Sequence, residues 1–554
     1  MIIQNIDALK ALASPVSTEI YEVLCYYTSG DNGGGSFYWD GLSGETPNNG
    51  TIIQGVAPGR WKRIYTTFID LRWFGVKDGV DCSASLTAAL GLSNIVILEN
   101  RVFTTSTTVI VPSNKQLSGK GATISSTANP VLSVQASSER IEITGLSIDG
   151  NGSNTAIEIT GNYSNSYAST AKACDLNFVR VTNCALSLKL TNARKINLQS
   201  CEFNSKSGIY YYDRTAEVNI DNCFIISESS GPDDYGLKAE ANPGTAPGTA
   251  PLTPEGLAVS NTVFYLFPVN VWIKDLFISM FSNCYFDATS REQNILMEYQ
   301  IKNEGSQFNN CWFLNQGIAY APVAATSVKP FRSSVNNCYF QGQSGTTINI
   351  KSWAHEIAIS SCRFNGLLTG TQVGLVCANL NNNISISDCN FSYYESVAQF
   401  KGSGQYNTVS NIVCNGTVAP YYFQYPVNIS NAEGMPRSLQ SAIAQGYSFP
   451  VAGNISSITG IFFGGVYKVV LSGVISTSHA GYVLLNLPTG CNVLDGTYRR
   501  LEVSNTAVEI SWMVQIADYG VNGTISVISE TGGSGAAGSF SNSFFNYFTA
   551  VKLA

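Results

Sequence analysis

Short runs of alternating apolar and polar residues recur along most of the chain. KINLQSCEF at 195–203 places Ile196, Leu198 and Phe203 on a period of two or its continuation past a turn, and TINIKSW at 347–353 places Ile348 and Ile350 likewise. Such alternation reads as half-buried strands, and none of these segments has the 3.6-residue period of an amphipathic helix. The runs are tied together by a repeated frame, QSCEF ending at Phe203, DNCFI at 221–225, SNCYF at 282–286, NNCWF at 309–313, NNCYF at 336–340, SSCRF at 360–364 and SDCNF at 387–391. SNTVF at 260–264 fits with Thr262 in the cysteine slot. From Cys201 through Cys223, Thr262, Cys284, Cys311, Cys338 and Cys362 to Cys389 the steps are 22, 39, 22, 27, 27, 24 and 27. The long step holds a Pro/Gly-rich stretch at 231–256, read here as an inserted loop.

A period of this length marks a solenoid, propeller or array, and three short strands per 22–27 residues describe one coil of a parallel β-helix. Propeller blades need roughly 40 or more residues. The fold class is therefore all-β, a solenoid in which cysteine and the residue two places later point inward and stack on their equivalents in the next coil. Side chains on such stacked strands run parallel instead of converging, so the cysteines are expected to be buried thiols and not disulfides or metal ligands. Asn222, Asn283, Asn310 and Asn337, each before a cysteine, are expected to form a side-chain ladder at a turn.

Composition narrows the class further. Only 12% of the 554 residues are charged against 44% hydrophobic, a balance that excludes a coiled coil and a disordered tail. The net charge of -7 gives no reason to expect nucleic acid. Two histidines, His355 and His479, are too few for a histidine-based metal centre, and no cofactor is expected. The N-terminus lacks a signal-peptide pattern and no apolar run reaches 18 residues, so neither export by that route nor membrane insertion is expected.

Four regions follow. Residues 1–70 are a separate small module, 71–90 a strand, glycine turn and capping helix, 91–430 the solenoid, and 431–554 a linker with a short helix at 432–446 followed by a β-sandwich. Leu86 and Leu90 share the helix face suited to plugging the solenoid end, which otherwise exposes unpaired backbone groups.

The runs GDNGGGSFYWD at 30–40, GRWKR at 59–63 and FGVKDGVDCSASLTAAL at 74–90 resemble the N-terminal region of bacteriophage tailspikes, whose solenoid begins with an FGAxGDGxxDDTxAL-like cap. This chain departs from that cap at Lys77-Asp78-Gly79 and at Cys82. The resemblance implies a pectate-lyase-like right-handed β-helix in a homotrimer on the virion tail. It also implies synthesis in the host cytoplasm, attachment to the tail baseplate directly or through an adaptor, and binding and usually cleavage of host capsule or O-antigen polysaccharide. The Gly-His-Gly and Arg-Ile-Lys signatures of polygalacturonases are absent.

Glycoside hydrolysis needs two carboxyls, one donating a proton and one acting as base or nucleophile. Asp287, Glu292 and Glu298 fall within twelve residues and are the first candidates, with Asp213 a further one three coils from Glu298. Strand parity places Tyr210 and Tyr212 inside and Tyr211 and Asp213 outside. In VNVWIKD it leaves Trp272 and Lys274 outside, and in NILMEYQ, Glu298. The residue between cysteine and the core aromatic also faces out, giving a Phe224, Val263, Tyr285, Trp312, Tyr339 stripe. Aromatic faces stack on the C–H faces of sugars, so Tyr211, Trp272, Lys274, Tyr285, Trp312 and Tyr339 are the candidate glycan contacts. The stripe equally suits packing between subunits. A lyase on the same scaffold would use Lys274 or Tyr299, and a spike that binds without cutting would need no carboxylate pair.

Overall fold

The computed structural model describes residues 1–56, 58–161, 171–228, 231–242, 253–288, 293–299, 301–322, 329–343, 345–367, 372–378, 381, 383–401 and 407–415, and strand spans between 421 and 549. The chain divides into two units, Met1–Phe313 and Leu314–Ala554.

The first unit opens with a five-stranded sheet in the order Ile2–Asn5, Ile20–Cys25, Gly35–Asp40, Arg60–Arg63, Ile52–Gln54. Its first pair is parallel and the rest antiparallel. One face is apolar because Tyr21, Val23, Phe37, Trp39, Ile53 and Trp61 alternate inward, and they pack on Ile6 and Leu9 of the short helix Ile6–Lys10. The glycine run has a steric cause. The guanidinium of Arg63 is buried and donates to the carbonyls of Gly33 at 2.8 Å, Gly50 at 3.0 Å and Gly34. A β-carbon on Gly34 would lie 2.2 Å from the Val23 carbonyl oxygen, and one on Gly35, at φ 146°, 2.4 Å from the guanidinium.

The strand Phe68–Asp70 then pairs in parallel with Ile95–Ile97 and starts the solenoid. The helix Ser83–Leu92 buries Ser83, Leu86, Ala89 and Leu90. Its first turn is fixed by Asp81, whose carboxylate accepts from the Ser83 amide at 3.0 Å and from the hydroxyls of Ser83 and Ser106. Those hydrogen bonds hold the Asp81 carboxyl down at about 2.

Each coil contributes a strand to three parallel faces. On face I, Ala171–Asn177, Ala193–Gln199, Ala216–Asp221, Glu255–Ser260, Leu276–Ser282 and Asn303–Asn309 pair in sequence. Face II contains Glu202–Ser205, Phe224–Ser227, Val263–Tyr265 and Tyr285–Asp287. Face III contains Leu186–Thr191, Ser207–Tyr212, Tyr235–Glu240, Val269–Ile273 and Ile295–Tyr299. The arrangement is a right-handed parallel β-helix, the hand that parallel crossovers favour.

The second unit repeats the three faces with Lys329–Asn336, Ala354–Ser360 and Ile384–Ser387 on the first, Tyr339–Gln343, Arg363–Gly366 and Asn390–Ser392 on the second, and Thr346–Ile350, Val373–Cys377 and Ser396–Phe400 on the third. Antiparallel strands follow. Asn454–Phe463 pairs with Val466–Ile475, and Arg499–Val503, Ile510–Ala517, Thr524–Ser529 and Val483–Asn486 form a four-stranded sheet. The expected linker helix lies, from residue 433 on, outside the described residues.

The cysteine frame forms the ladder expected of it. Every described cysteine is a free thiol, and all but Cys414 are buried. The thiols donate to backbone carbonyls of the preceding coil, Cys201 to Leu176 at 3.2 Å and Cys362 to Val335 at 3.4 Å. Two places on, the phenyl rings of Phe264, Phe286 and Phe313 stack at centroid separations of 5.3 and 5.0 Å. Asn222, Asn283, Asn310 and Asn337 all adopt φ between 52° and 55°, a left-handed turn that asparagine tolerates better than most residues. Part of the side-chain ladder is present, with Asn283 donating to Asn261 at 3.4 Å and Asn222 to the Ser200 hydroxyl at 3.0 Å. Asn283→Ala is therefore expected to cost about 1–2 kcal/mol through the left-handed backbone, and Asn283→Gly distinctly less. Thermal melting of the two variants side by side checks this. Equal losses would place the cost in the side-chain bonds instead.

Two expectations are corrected here. The stretch 231–256 is not wholly an insertion, because Tyr235–Glu240 is a face III strand and Glu255–Ser260 a face I strand. Leu237 and Ala239 point inward and make it a regular rung. Parity in SGIYYYDRT is also opposite to that expected: Tyr211 is fully buried, while Tyr210 and Tyr212 are partly exposed. The register sets Ile209 and Tyr211 against Leu188 and Leu190, so the aliphatic Ile209 decides the face and the tyrosines follow. The Tyr211 hydroxyl donates to the Glu255 carbonyl at 2.6 Å.

Candidate functional site

Face III of the first unit presents two outward rows across five successive coils. The register aligns Lys189, Tyr210, Lys238, Trp272 and Leu296 in one row. The other begins with Tyr212 opposite Glu240. Continuing the registers of Ala239 with Ile273 and of Ile273 with Met297 by one residue adds Lys274 and Glu298. The inward neighbours Leu237, Ala239, Val271, Ile273, Ile295 and Met297 are buried, which fixes the outward side chains on a rigid base.

Glu240 is the hub. Its carboxylate accepts from Lys238 at 2.9 Å, from Lys274 at 3.0 Å and from the Tyr210 hydroxyl at 3.1 Å. Burial pushes the Glu240 carboxyl up, but hydrogen bonds and charge from the two lysines outweigh it and hold the group below the usual range. Both ammonium groups also lie over the Trp272 ring, at 4.8 and 4.9 Å from a ring centroid. The Trp272 indole donates to Glu298 at 3.1 Å. Tyr210 and Tyr212 stack at 5.3 Å, and burial together with Glu240 holds the Tyr210 hydroxyl protonated far above its ordinary range. The surface thus combines aromatic faces, two carboxylates and two cations within four rungs.

Of the expected site residues, Trp272, Lys274 and Glu298 come together here. Tyr211 does not, being buried in the core. Asp213 is also turned in, with φ 61° bending the chain at the corner. Burial pushes its carboxyl up, opposed by bonds from the Arg214 amide and the Asn242 side chain. Asp287 ends the face II strand Tyr285–Asp287 and is nine-tenths buried, with the Tyr285 hydroxyl bonded to it. Asp287 and Glu298 therefore sit on different faces of one coil despite their closeness in sequence. Glu292 lies outside the described residues.

The face II stripe points outward as expected, with Phe224 and Trp312 exposed and Val263 and Tyr285 partly so. Tyr285 and Trp312 meet edge to face at 5.9 Å. In the second unit Tyr339 is also outward, beneath the Arg363 guanidinium at 5.6 Å. Sequence reasoning missed Tyr210, Lys238 and Glu240. The signal available was YGLKAE, where Leu237 and Ala239 alternate with Lys238 and Glu240 in the way Val271 and Ile273 alternate with Trp272 and Lys274.

Residues 2–66 match the model of the phage tail protein small four-stranded β-sheet domain. Among solved structures, the enzymatically active domain of tailspike protein 4 from bacteriophage CBA120 superposes with a TM-score of 0.42 at 12% identity, covering 100% of this chain and 77% of that one. The tailspike protein of Acinetobacter baumannii phage AM24 gives 0.41 at 15%, covering 98% and 92%. The tailspike gp49 of Acinetobacter baumannii bacteriophage Fri1, a capsular polysaccharide depolymerase, gives 0.40 at 12%, covering 98% and 96%. The chain thus joins a segment that matches a phage-tail β-domain, residues 2–66, to a right-handed parallel β-helix.

Proposed function

We propose that this protein is a homotrimeric tailspike that binds a bacterial surface polysaccharide, capsule or O-antigen, and cleaves it internally as a glycoside hydrolase. The observation that carries this reading is the outward cluster on face III, where Trp272 offers a sugar-stacking ring and hydrogen-bonds the Glu298 carboxylate. Paired aromatic and carboxylate groups on a rigid sheet are what glycan binding and glycosidic proton transfer require. The match of residues 2–66 to a phage tail domain supports attachment to the virion. Tyr285, Trp312 and Tyr339 are assigned to secondary glycan contacts, and the C-terminal strands to trimer stabilisation. Hydrolysis is favoured over β-elimination because two carboxylates, Glu240 and Glu298, stand on this outward row, while Lys274, the lysine available to a lyase, is ion-paired with Glu240 at 3.0 Å.

The test is incubation of the full chain with a panel of Gram-negative capsular and O-antigen polysaccharides, followed by product size, reducing ends and absorbance at about 232 nm, the signature of an unsaturated uronate. Shortened chains with new reducing ends and no absorbance support a hydrolase. Absorbance would replace it with a lyase acting through Lys274 or Tyr299, and binding without shortening would leave a receptor-binding spike. Trp272→Ala is expected to weaken capture of the recognised polysaccharide about 30-fold, the loss of one aromatic anchor worth about 2 kcal/mol. Unchanged capture would move the glycan to another face.

A further inference from the structure

Among the described carboxylates of the outward surface, Glu240 and Glu298 stand out by position and by surroundings. They occupy the same outward row two rungs apart, with Lys274 on the rung between them. At about 4.8 Å per rung their strands are about 9.6 Å apart. Parallel side chains on parallel strands keep roughly that separation, which lies just above the roughly 6.5–9.5 Å of inverting glycosidases and far from the about 5–5.5 Å of retaining ones. The gap leaves room for a water molecule as well as a sugar ring.

Their environments differ. Two ammonium groups and a phenol converge on Glu240, at 2.9, 3.0 and 3.1 Å, and keep it an anion. Glu298 has no lysine or arginine within salt-bridge reach among the described residues, and its bond is from the neutral Trp272 indole. A general base must start each turnover as an anion, which the two ammonium groups secure for Glu240, and the acid role falls to the other carboxylate of the row. Trp272 lies on the middle rung and bonds directly to Glu298, so a sugar over that ring is next to the proton donor. Of the other carboxylates proposed from the sequence, Asp213 is folded into the corner and Asp287 lies on face II, so neither offers a second partner on this row.

We propose that Glu240 is the general base and Glu298 the general acid of an inverting hydrolysis whose scissile unit lies over the Trp272 and Lys274 rung. This rests on the reading of the chain as a polysaccharide hydrolase. In the step, protonated Glu298 gives its proton to the glycosidic oxygen as the bond from that oxygen to the anomeric carbon breaks. A water on the opposite face forms the new bond to the anomeric carbon and gives a proton to Glu240. The products are two shortened chains, one with an inverted reducing end. Exchange with solvent then returns a proton to Glu298 and removes one from Glu240. Lys238 and Lys274 act as positioning residues, fixing the Glu240 carboxylate and keeping it ionised.

The experiment uses the full-length protein and whichever polysaccharide of the panel it shortens. Proton NMR of the first-formed reducing ends is expected to show the anomer opposite to that of the cleaved linkage. Glu240→Gln and Glu298→Gln are each expected to lower kcat at least 100-fold while capture of the polysaccharide stays within about threefold. Glu142→Gln, on the strand Glu139–Thr144 that pairs with Ala171–Asn177 on face I, serves as the matched control and keeps its rate. Retained configuration, or either variant keeping more than a tenth of the wild-type rate, overturns the assignment while leaving the hydrolase reading intact. Failure of the wild-type chain to shorten any polysaccharide overturns both. The NMR result needs no variant, so it stands even if removing Glu240 unsettles the two lysines.

Discussion

Arg63→Ala is expected to unfold the N-terminal module while the solenoid persists. The guanidinium is buried and donates to three backbone carbonyls, those of Gly33, Gly34 and Gly50, which belong to two separate loops. It also lies over the rings of Phe37 and Trp73, at 4.5 and 4.7 Å. Alanine leaves those carbonyls buried without donors, each costing about 1–3 kcal/mol, and removes both cation–π contacts. A loss of about 3–5 kcal/mol is the expected total once partial rehydration is allowed for. Arg63→Lys should recover less than half, since one ammonium cannot match the planar fork. Limited proteolysis between residues 26 and 63 together with the fluorescence of Trp39 and Trp61 reads the effect. A module that stays protease-resistant in both variants would show that the apolar cluster beneath the sheet suffices.

Phe364→Ala is expected to destabilise the second unit by a similar amount. The ring is fully buried and stacks between Phe340 at 4.7 Å and Phe391 at 4.2 Å, with Tyr394 edge-on at 6.2 Å. Truncation leaves a cavity in the middle of the stack, and such losses run at about 3–5 kcal/mol. The neighbouring rings cannot collapse into the space because the ladder of backbone bonds fixes the rung spacing. Phe364→Leu refills part of the volume and should recover about half. Thermal melting of both variants decides it, and a loss below about 1 kcal/mol for alanine would mean that the coils do slide together.

Both sites were partly visible beforehand, for different reasons. The Cys–x–Phe frame is legible because identical large residues recur at a nearly constant step, and an in-register solenoid turns that step into a stack. The asparagines before the cysteines are legible for a similar reason, since few residues tolerate the left-handed turn each coil makes there. The GDNGGG run identified a module but not its cause. The Arg63 guanidinium and the Val23 carbonyl each come close to the glycine run from segments about 10 to 30 residues away, and no local pattern encodes those contacts.

The face III cluster was half legible. Trp272, Lys274 and Glu298 followed from the parity of Val271, Ile273, Ile295 and Met297, which are unambiguous aliphatic or thioether side chains. Three consecutive tyrosines gave no such parity, since a tyrosine suits either side of a sheet, and only the alignment of Ile209 with Leu188 resolves them. Tyr235–Glu240 was hidden by the proline and glycine content around it, although its own alternation is regular.

The sequence by itself determined the coil, its period, its buried ladder and the outward side of each clearly patterned strand, because these depend on alternation and repetition within a few residues. Only the tertiary structure decided which outward residues become neighbours. Glu240, Lys274 and Glu298 are 34 and 24 residues apart along the chain and meet because consecutive rungs pair in register at strand spacing. That register depends on how each intervening turn closes, and the turns here differ in length, so this row of side chains exists only once the coils are stacked.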